Sequence, residues 1–260
     1  MVAGTTIGVV KGADAGLIVA GFRCGAVASP VDVILSPPAS LQEVARRSSL
    51  ILLALRDDEL RVALSALRGR MKPGTAVVST CPVAPLELMR SLLGAGPALF
   101  RAVVPPGTEP GEGVAALAPE PGTDAEVIER VGESLAWIGA IEIVSEESLD
   151  AVAALSLGGA GFICMALEGL EEGAVLEGLP RETARSFANQ TALAAALLLR
   201  DHPGSPADLK DQVASPGGTT IAALAALEDA GVRGAFLRAV QRSAVKVRVR
   251  RDAARPGVIE

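Results

Sequence analysis

Ser215-Pro216-Gly217-Gly218-Thr219-Thr220 sets three hydroxyls and two glycines directly before a helical pattern, Ile221 to Glu228. Glycines let successive backbone N–H groups turn to one side. The helix behind them adds free N–H groups and the positive end of its dipole. Such a turn suits a small anion, and a carboxylate in particular. A plain helix start would need one capping residue, Thr219 or Thr220. Two glycines and three hydroxyls exceed that need.

A second place where chemistry is expected is the first strand and its turn, Ile7-Gly8-Val9-Val10-Lys11-Gly12-Ala13-Asp14-Ala15-Gly16. A strand that enters a helix through Gly-x-Gly-x-x-Gly lets a pyrophosphate approach the backbone. Here the three positions hold Lys11, Ala13 and Gly16, so only the third glycine is kept. Lys11, Gly12, Ala13, Asp14 and Ala15 are the candidate cofactor-binding residues of this turn. Lys11 either lies over the phosphates as a cation or reshapes the loop. The second strand ends Ile34-Leu35-Ser36 without the acid that would bind the ribose hydroxyls of NAD. That favours NADP, with NAD as the alternative, and Ser36 and Ser40 as hydroxyls for its phosphate.

Other reactive groups are few. Cys24, Cys81 and Cys164 are widely spaced and odd in number, which suits neither a metal site nor a disulfide framework. Cys81 has no activating neighbour in sequence. No metal is expected. The cysteine usage and an N-terminus without a basic leader point to the cytoplasm. A net charge of −6 argues against a nucleic-acid partner. The run Lys246, Arg248, Arg250, Arg251 and Arg255 reads as a solvated tail or a helix C-terminus. Ala151 to Leu167 is uncharged but short of a membrane span, so a helix buried between protein neighbours is expected rather than a membrane segment.

The elements that must position these residues follow from periodicity. Thr6 to Val10, Val31 to Leu35, Leu50 to Leu55, Ala76 to Ser79, Leu99 to Val104 and Ala140 to Val144 are short Val/Ile/Leu-rich runs that read as buried strands. Val114 to Ala118 adds a further one. Helical spacing lies between them, at Leu41 to Arg47, Asp58 to Leu67, Pro85 to Leu93 and Asp124 to Ala136. This alternation predicts an α/β fold, a Rossmann-like doubly wound parallel sheet covered on both faces. From Glu146 the pattern is all helical: 148–175, 181–199, 207–213, 220–230 and 233–245. Helices apolar nearly all round must be buried, and dimerisation through this half is the simplest way. Residues 1–145 are therefore expected to form the dinucleotide-binding domain, and 146–260 a helical substrate-binding and dimerisation domain.

The second half resembles the pyrroline-5-carboxylate reductase family. The resemblance rests on Pro206-Ala207-Asp208-Leu209-Lys210-Asp211, then Ser215 to Thr220, then Leu227-Glu228. It extends back through Gly178 to Glu182 and Glu146 to Val152. It implies an N-terminal Rossmann domain and a helical domain that interleaves with a partner into a homodimer, often assembled further. It implies reduction of a small cyclic imino acid by NADPH or NADH. Ser215 and the amides of Gly218, Thr219 and Thr220 would hold the substrate carboxylate, and the Thr220 hydroxyl would approach the ring nitrogen as the catalytic group.

The cofactor half departs from that family. Its Ala-Val-Lys-Pro is Ala54-Leu55-Arg56-Asp57 here, which places Leu55 and Arg56 among the cofactor-binding residues. Its Met-Pro-Asn-Thr-Pro is Val103-Val104-Pro105-Pro106-Gly107. His202 lies out of register with the family's histidine and reads as a loop residue. Beside a divergent imine reductase, two alternatives stand: a non-redox cyclase or isomerase, and a ligand-binding paralogue without chemistry. Fold alone does not choose among them.

Overall fold

The computed structural model describes residues 6–12, 32–36, 39–105 and 111–255. Ala13, Asp14, Ala15 and Gly16 of the first turn, with Cys24, Pro106 and Gly107, lie outside the described residues. Seven strands are described: β1 (Thr6–Lys11), β2 (Asp32–Ser36), β3 (Leu50–Ala54), β4 (Ala76–Ser79), β5 (Ala98–Val103), β6 (Gly113–Pro119) and β7 (Gly139–Ile143). Helices α1 (Leu41–Arg47), α2 (Asp57–Leu67), α3 (Leu86–Leu93) and α4 (Ala125–Leu135) lie between them. Then come α5 (Glu146–Leu176), α6 (Arg181–Asp201), α7 (Pro206–Val213), α8 (Thr219–Asp229) and α9 (Val232–Ala253).

The strands form one sheet in the order β2-β1-β3-β4-β5-β6-β7. From β2 to β5 all neighbours are parallel. The order reverses on the two sides of β1, which makes the β1–β3 edge a topological switch point. The expected all-parallel sheet needs a correction at its far end. β6 is antiparallel to β5, and β7 follows β6 in parallel. Residues 104–112, which join β5 to β6, are too few for the dozen or more that a parallel crossover requires.

Alternation along each strand sends residues to two cores. Ile51, Leu53 and Val77 pack with Val44, Leu60, Leu64 and Met89 of α1, α2 and α3. Leu50, Leu52, Val78 and Phe100 pack on the other face with Val131 and Leu135 of α4. With both faces covered, β3 is buried along its whole length, which is why its sequence is continuously apolar.

The chain divides into two compact units, one of residues 1–157 with 243–260, the other of 158–242. The change from alternating elements to helices falls at Glu146, whereas the units part within α5. The first unit holds a buried ionic network. Arg101, 1 % exposed in β5, donates through Nη1 to Glu146 Oε1 (3.0 Å) and through Nη2 to the Pro82 carbonyl (2.6 Å). The same Glu146 oxygen accepts the N–H of Leu86 at the start of α3 (2.7 Å). Asp150, also 1 % exposed, pairs with Arg251 of α9 (2.6 Å). Burial pushes the Asp150 carboxyl up, and Arg251, Arg101 and Arg248 pull against it. Arg251 thus belongs to a helix end tied into the first unit, not to a solvated tail.

In the second unit, among the described residues, Ala184 and Ala188 of α6 are buried. α5 is long and apolar enough to cross a membrane by length and composition. The sequence expects it to be buried, yet within one protomer its Ile163, Met165 (76 % exposed), Leu170 and Leu176 face outward. Phe187, Leu193 and Leu198 of α6 do the same. Burial of these residues requires a partner chain.

Candidate functional site

The anion turn forms as its residue types demand. Gly217 has φ +68°, a left-handed conformation that glycine adopts without strain. Gly218 is the N-cap of α8, and its N–H donates to the Ser215 carbonyl (3.0 Å). A β-carbon at Gly218 would run into the Ser215 hydroxyl and come within 3.1 Å of the Ser215 carbonyl. The cap therefore falls on a residue with no side chain, not on Thr219 or Thr220. The hydroxyls of Ser215, Thr219 and Thr220 have no hydrogen-bond partner among the described residues, and all three residues are exposed. The first N–H groups of α8 have no partner within the helix. Three hydroxyls and several amides are thus uncommitted at the positive end of an eleven-residue helix, a donor set that suits a carboxylate.

Next to this turn, α7 begins with a reciprocal cap. Ser205 accepts from the Asp208 N–H, and Asp208 Oδ2 accepts from the Ser205 N–H (2.7 Å). The Ser205 hydroxyl, which donates to the same Oδ2 (2.7 Å), and then the Ser205 N–H hold the Asp208 carboxyl below its usual range. His202 accepts the Gly204 N–H at Nδ1 (3.0 Å) and faces the Gln212 side-chain amide at Nε2 (3.0 Å). A neutral ring that accepts at Nδ1 carries its proton on Nε2, so the amide oxygen of Gln212 belongs on that side. His202 is used in holding its own loop.

In the first unit, β1, β2 and β3 bring another set of residues to the carboxyl edge of the sheet. Register sets Lys11 opposite Ala54 and Val10 opposite Ser36. Gly12 continues the ladder, donating its N–H to the Ala54 carbonyl (2.9 Å). Leu55 and Arg56 follow directly, and Arg56 is the N-cap residue of α2. Lys11, Gly12, Ser36, Leu55 and Arg56 are therefore gathered at the switch-point edge, where open α/β sheets bind ligands. Two cations and a buried serine fit the anionic phosphates of a dinucleotide. Ser40 is partly committed, since its oxygen accepts the Glu43 N–H at the start of α1 (3.2 Å).

Sequence reading missed one residue at this edge. Glu59, in the first turn of α2, accepts the Arg56 N–H at Oε2 (3.0 Å). A β-carbon on Gly12 would collide with that same oxygen and come within 3.0 Å of Glu59 Cδ. The available signal was an acid three residues beyond an N-cap, which reads as a helix cap. Nothing in it reveals contact with a turn 47 positions earlier. Cys81, by contrast, is buried, and burial pushes its thiol up, so it is a poor nucleophile.

The family described as pyrroline-5-carboxylate reductase dimerisation matches residues 146–249. The pyrroline-5-carboxylate reductase of Methanosarcina acetivorans is 34 % identical over 200 residues, covering 77 % of this chain and 74 % of its own. That of Arabidopsis thaliana is 34 % identical over 211 residues, covering 80 % and 75 %. A solved pyrroline-5-carboxylate reductase from Coxiella burnetii is similar in fold, with a TM-score of 0.82 at 22 % identity over 95 % of this chain and 98 % of that one. The Plasmodium falciparum pyrroline carboxylate reductase, solved with NADP bound, gives 0.78 at 19 % identity over 95 % and 98 %.

Proposed function

The chain belongs to the pyrroline-5-carboxylate reductase family, and we propose that it reduces pyrroline-5-carboxylate to proline with a reduced pyridine nucleotide. Identity of 34 % across 77 % of the chain carries this reading. The uncommitted Ser215 to Thr220 turn supports it by offering a place for the carboxylate that substrate and product share.

The amides of Thr219 and Thr220 and the Ser215 hydroxyl hold that carboxylate in this reading; Gly218, expected to lend its amide too, already donates that N–H to the Ser215 carbonyl (3.0 Å) and shapes the turn instead. The Thr220 hydroxyl is the group that approaches the ring nitrogen. A bound reduced nicotinamide supplies a hydride to the imine carbon. The nitrogen takes its proton from Thr220 or from water. A protonated imine accepts hydride readily, so orientation supplies much of the rate and no strong general acid is needed. Lys11, Gly12, Ala13, Asp14, Ala15, Ser36, Leu55 and Arg56 hold the nucleotide. NADP is the favoured form, because β2 ends in Ser36 with no acid for the ribose hydroxyls of NAD. Residues 1–145 act as the nucleotide domain and 146–260 as the substrate and dimerisation domain, in a cytoplasmic homodimer.

The test is a fluorescence titration with NADPH and NADH, followed by pyrroline-5-carboxylate. Binding of NADPH and its oxidation on adding the imino acid are expected. Absence of binding at millimolar nucleotide would sink the reductase reading. Binding without oxidation would retain the nucleotide site and reject this substrate.

A further inference from the structure

Gly12 opens the turn after β1, one residue before the position of the fingerprint's second glycine, and the space beside it is taken. Its missing side chain leaves a gap on one side of the α-carbon, and the Glu59 carboxylate fills that gap. One hydrogen bond holds the carboxylate there, since Oε2 also accepts the Arg56 N–H (3.0 Å) at the start of α2. Three acids, Asp57, Asp58 and Glu59, occupy this first turn. Asp57 lies 3.8 Å from Arg61 and Asp58 3.6 Å from Arg56; Glu59 is the one that meets the β1 turn.

An anionic oxygen against a glycine, hydrogen-bonded to a backbone amide at a helix start, is what a phosphate oxygen would be in a dinucleotide site. We propose that Glu59 is a specificity-determining residue of this enzyme, an internal competitor whose carboxylate occupies the approach to Gly12 that the cofactor's phosphates use. The proposal rests on the reading that a pyridine nucleotide binds at the β1–β3 edge. Lys11 and Arg56 attract the phosphates to this edge, and Glu59 opposes them until it swings away. Gly12 is then required by the acid as much as by the nucleotide, since any β-carbon there would strike Glu59 first. The carboxylate also sets an electrostatic threshold. A ligand must bring enough negative charge to Lys11 and Arg56 to displace it.

The experiment is an NADPH fluorescence titration of the full-length protein, as wild type, Glu59→Gln and Glu59→Ala, with thermal melting of each. Glu59→Gln keeps the shape and the helix cap but removes the charge. It is expected to bind NADPH about tenfold more tightly, a difference of about 1.4 kcal/mol. The fall in its KM for the nucleotide should exceed any change in kcat. Glu59→Ala should bind more tightly as well, while melting lower because the cap bond is lost. Tight binding by Glu59→Gln where the wild type binds poorly would also support the proposal. Equal or weaker binding by a folded Glu59→Gln overturns it and leaves the reductase reading intact. If wild type and both variants bind neither NADPH nor NADH at millimolar concentration, both readings fall together.

Discussion

At Ser215, Thr219 and Thr220, three hydroxyls stand beside a helix start that uses none of them as its cap. Their separate roles can be told apart by kinetics. Ser215→Ala removes one hydrogen bond to a charged carboxylate, a loss of about 1.5 kcal/mol, so KM for the imino acid should rise about tenfold with little change in KM for the nucleotide. Thr220→Ala should lower kcat by about tenfold or more and leave nucleotide affinity nearly unchanged, as expected for a group that acts on the reacting nitrogen. Full turnover in Thr220→Ala would reject its role. Only part of this was legible in the sequence. The hydroxyls and glycines are adjacent residues, so their spacing alone predicts the turn. That the cap falls on Gly218 is a matter of backbone angles, and it decides that the threonines are uncommitted.

Elements are joined by a few ionic contacts whose worth depends on burial. Asp150 on α5 and Arg251 on α9 are 101 positions apart in sequence and 2.6 Å apart in space. Arg251→Ala would leave a buried carboxylate without its partner, which typically costs about 3–5 kcal/mol. The urea midpoint of unfolding should fall accordingly, and a much smaller loss in Asp150→Asn with Arg251→Met would show that the single variant's cost is an unpaired charge. Within the second unit, Glu171 on α5 binds Arg185 (3.0 and 3.2 Å) and Arg181 (2.9 Å) on α6. The hydrogen bond from Arg185, ahead of that from Arg181, holds the Glu171 carboxyl below its usual range. A lowered carboxyl stabilises the folded state above its ordinary value, near 4.3, and that stabilisation is lost as pH falls through the lowered value. The melting temperature of the wild type should exceed that of Glu171→Gln at pH 7. The gap should close between pH 5 and pH 3.

For the whole molecule, the apolar surface of α5 and α6 and the dimerisation match over 146–249 point to the same assembly. Met165, at 76 % exposed, is a sensitive probe. Met165→Asp should weaken self-association at least tenfold in sedimentation equilibrium, since a charge buried at an interface is costly. The wild type's melting temperature should rise with protein concentration, as mass action requires for a dimer. A monomer at high concentration would refute this assembly. The sequence by itself determined the strands, the helices, the turn at 215–220 and the kinship with the reductases, because each is written in residues close together along the chain. Period two and period 3.6 are local signals, and so are two glycines and three hydroxyls set before a helical pattern. Tertiary structure decided the reversed strands β6 and β7, the pairings of Arg101 with Glu146 and of Asp150 with Arg251, and the seat of Glu59 against Gly12. Each joins residues far apart in sequence, and only the path of the folded chain sets their separation. The turn at 215–220 was therefore readable before folding, while the crowding of the β1–β3 edge by the chain's own acid was not.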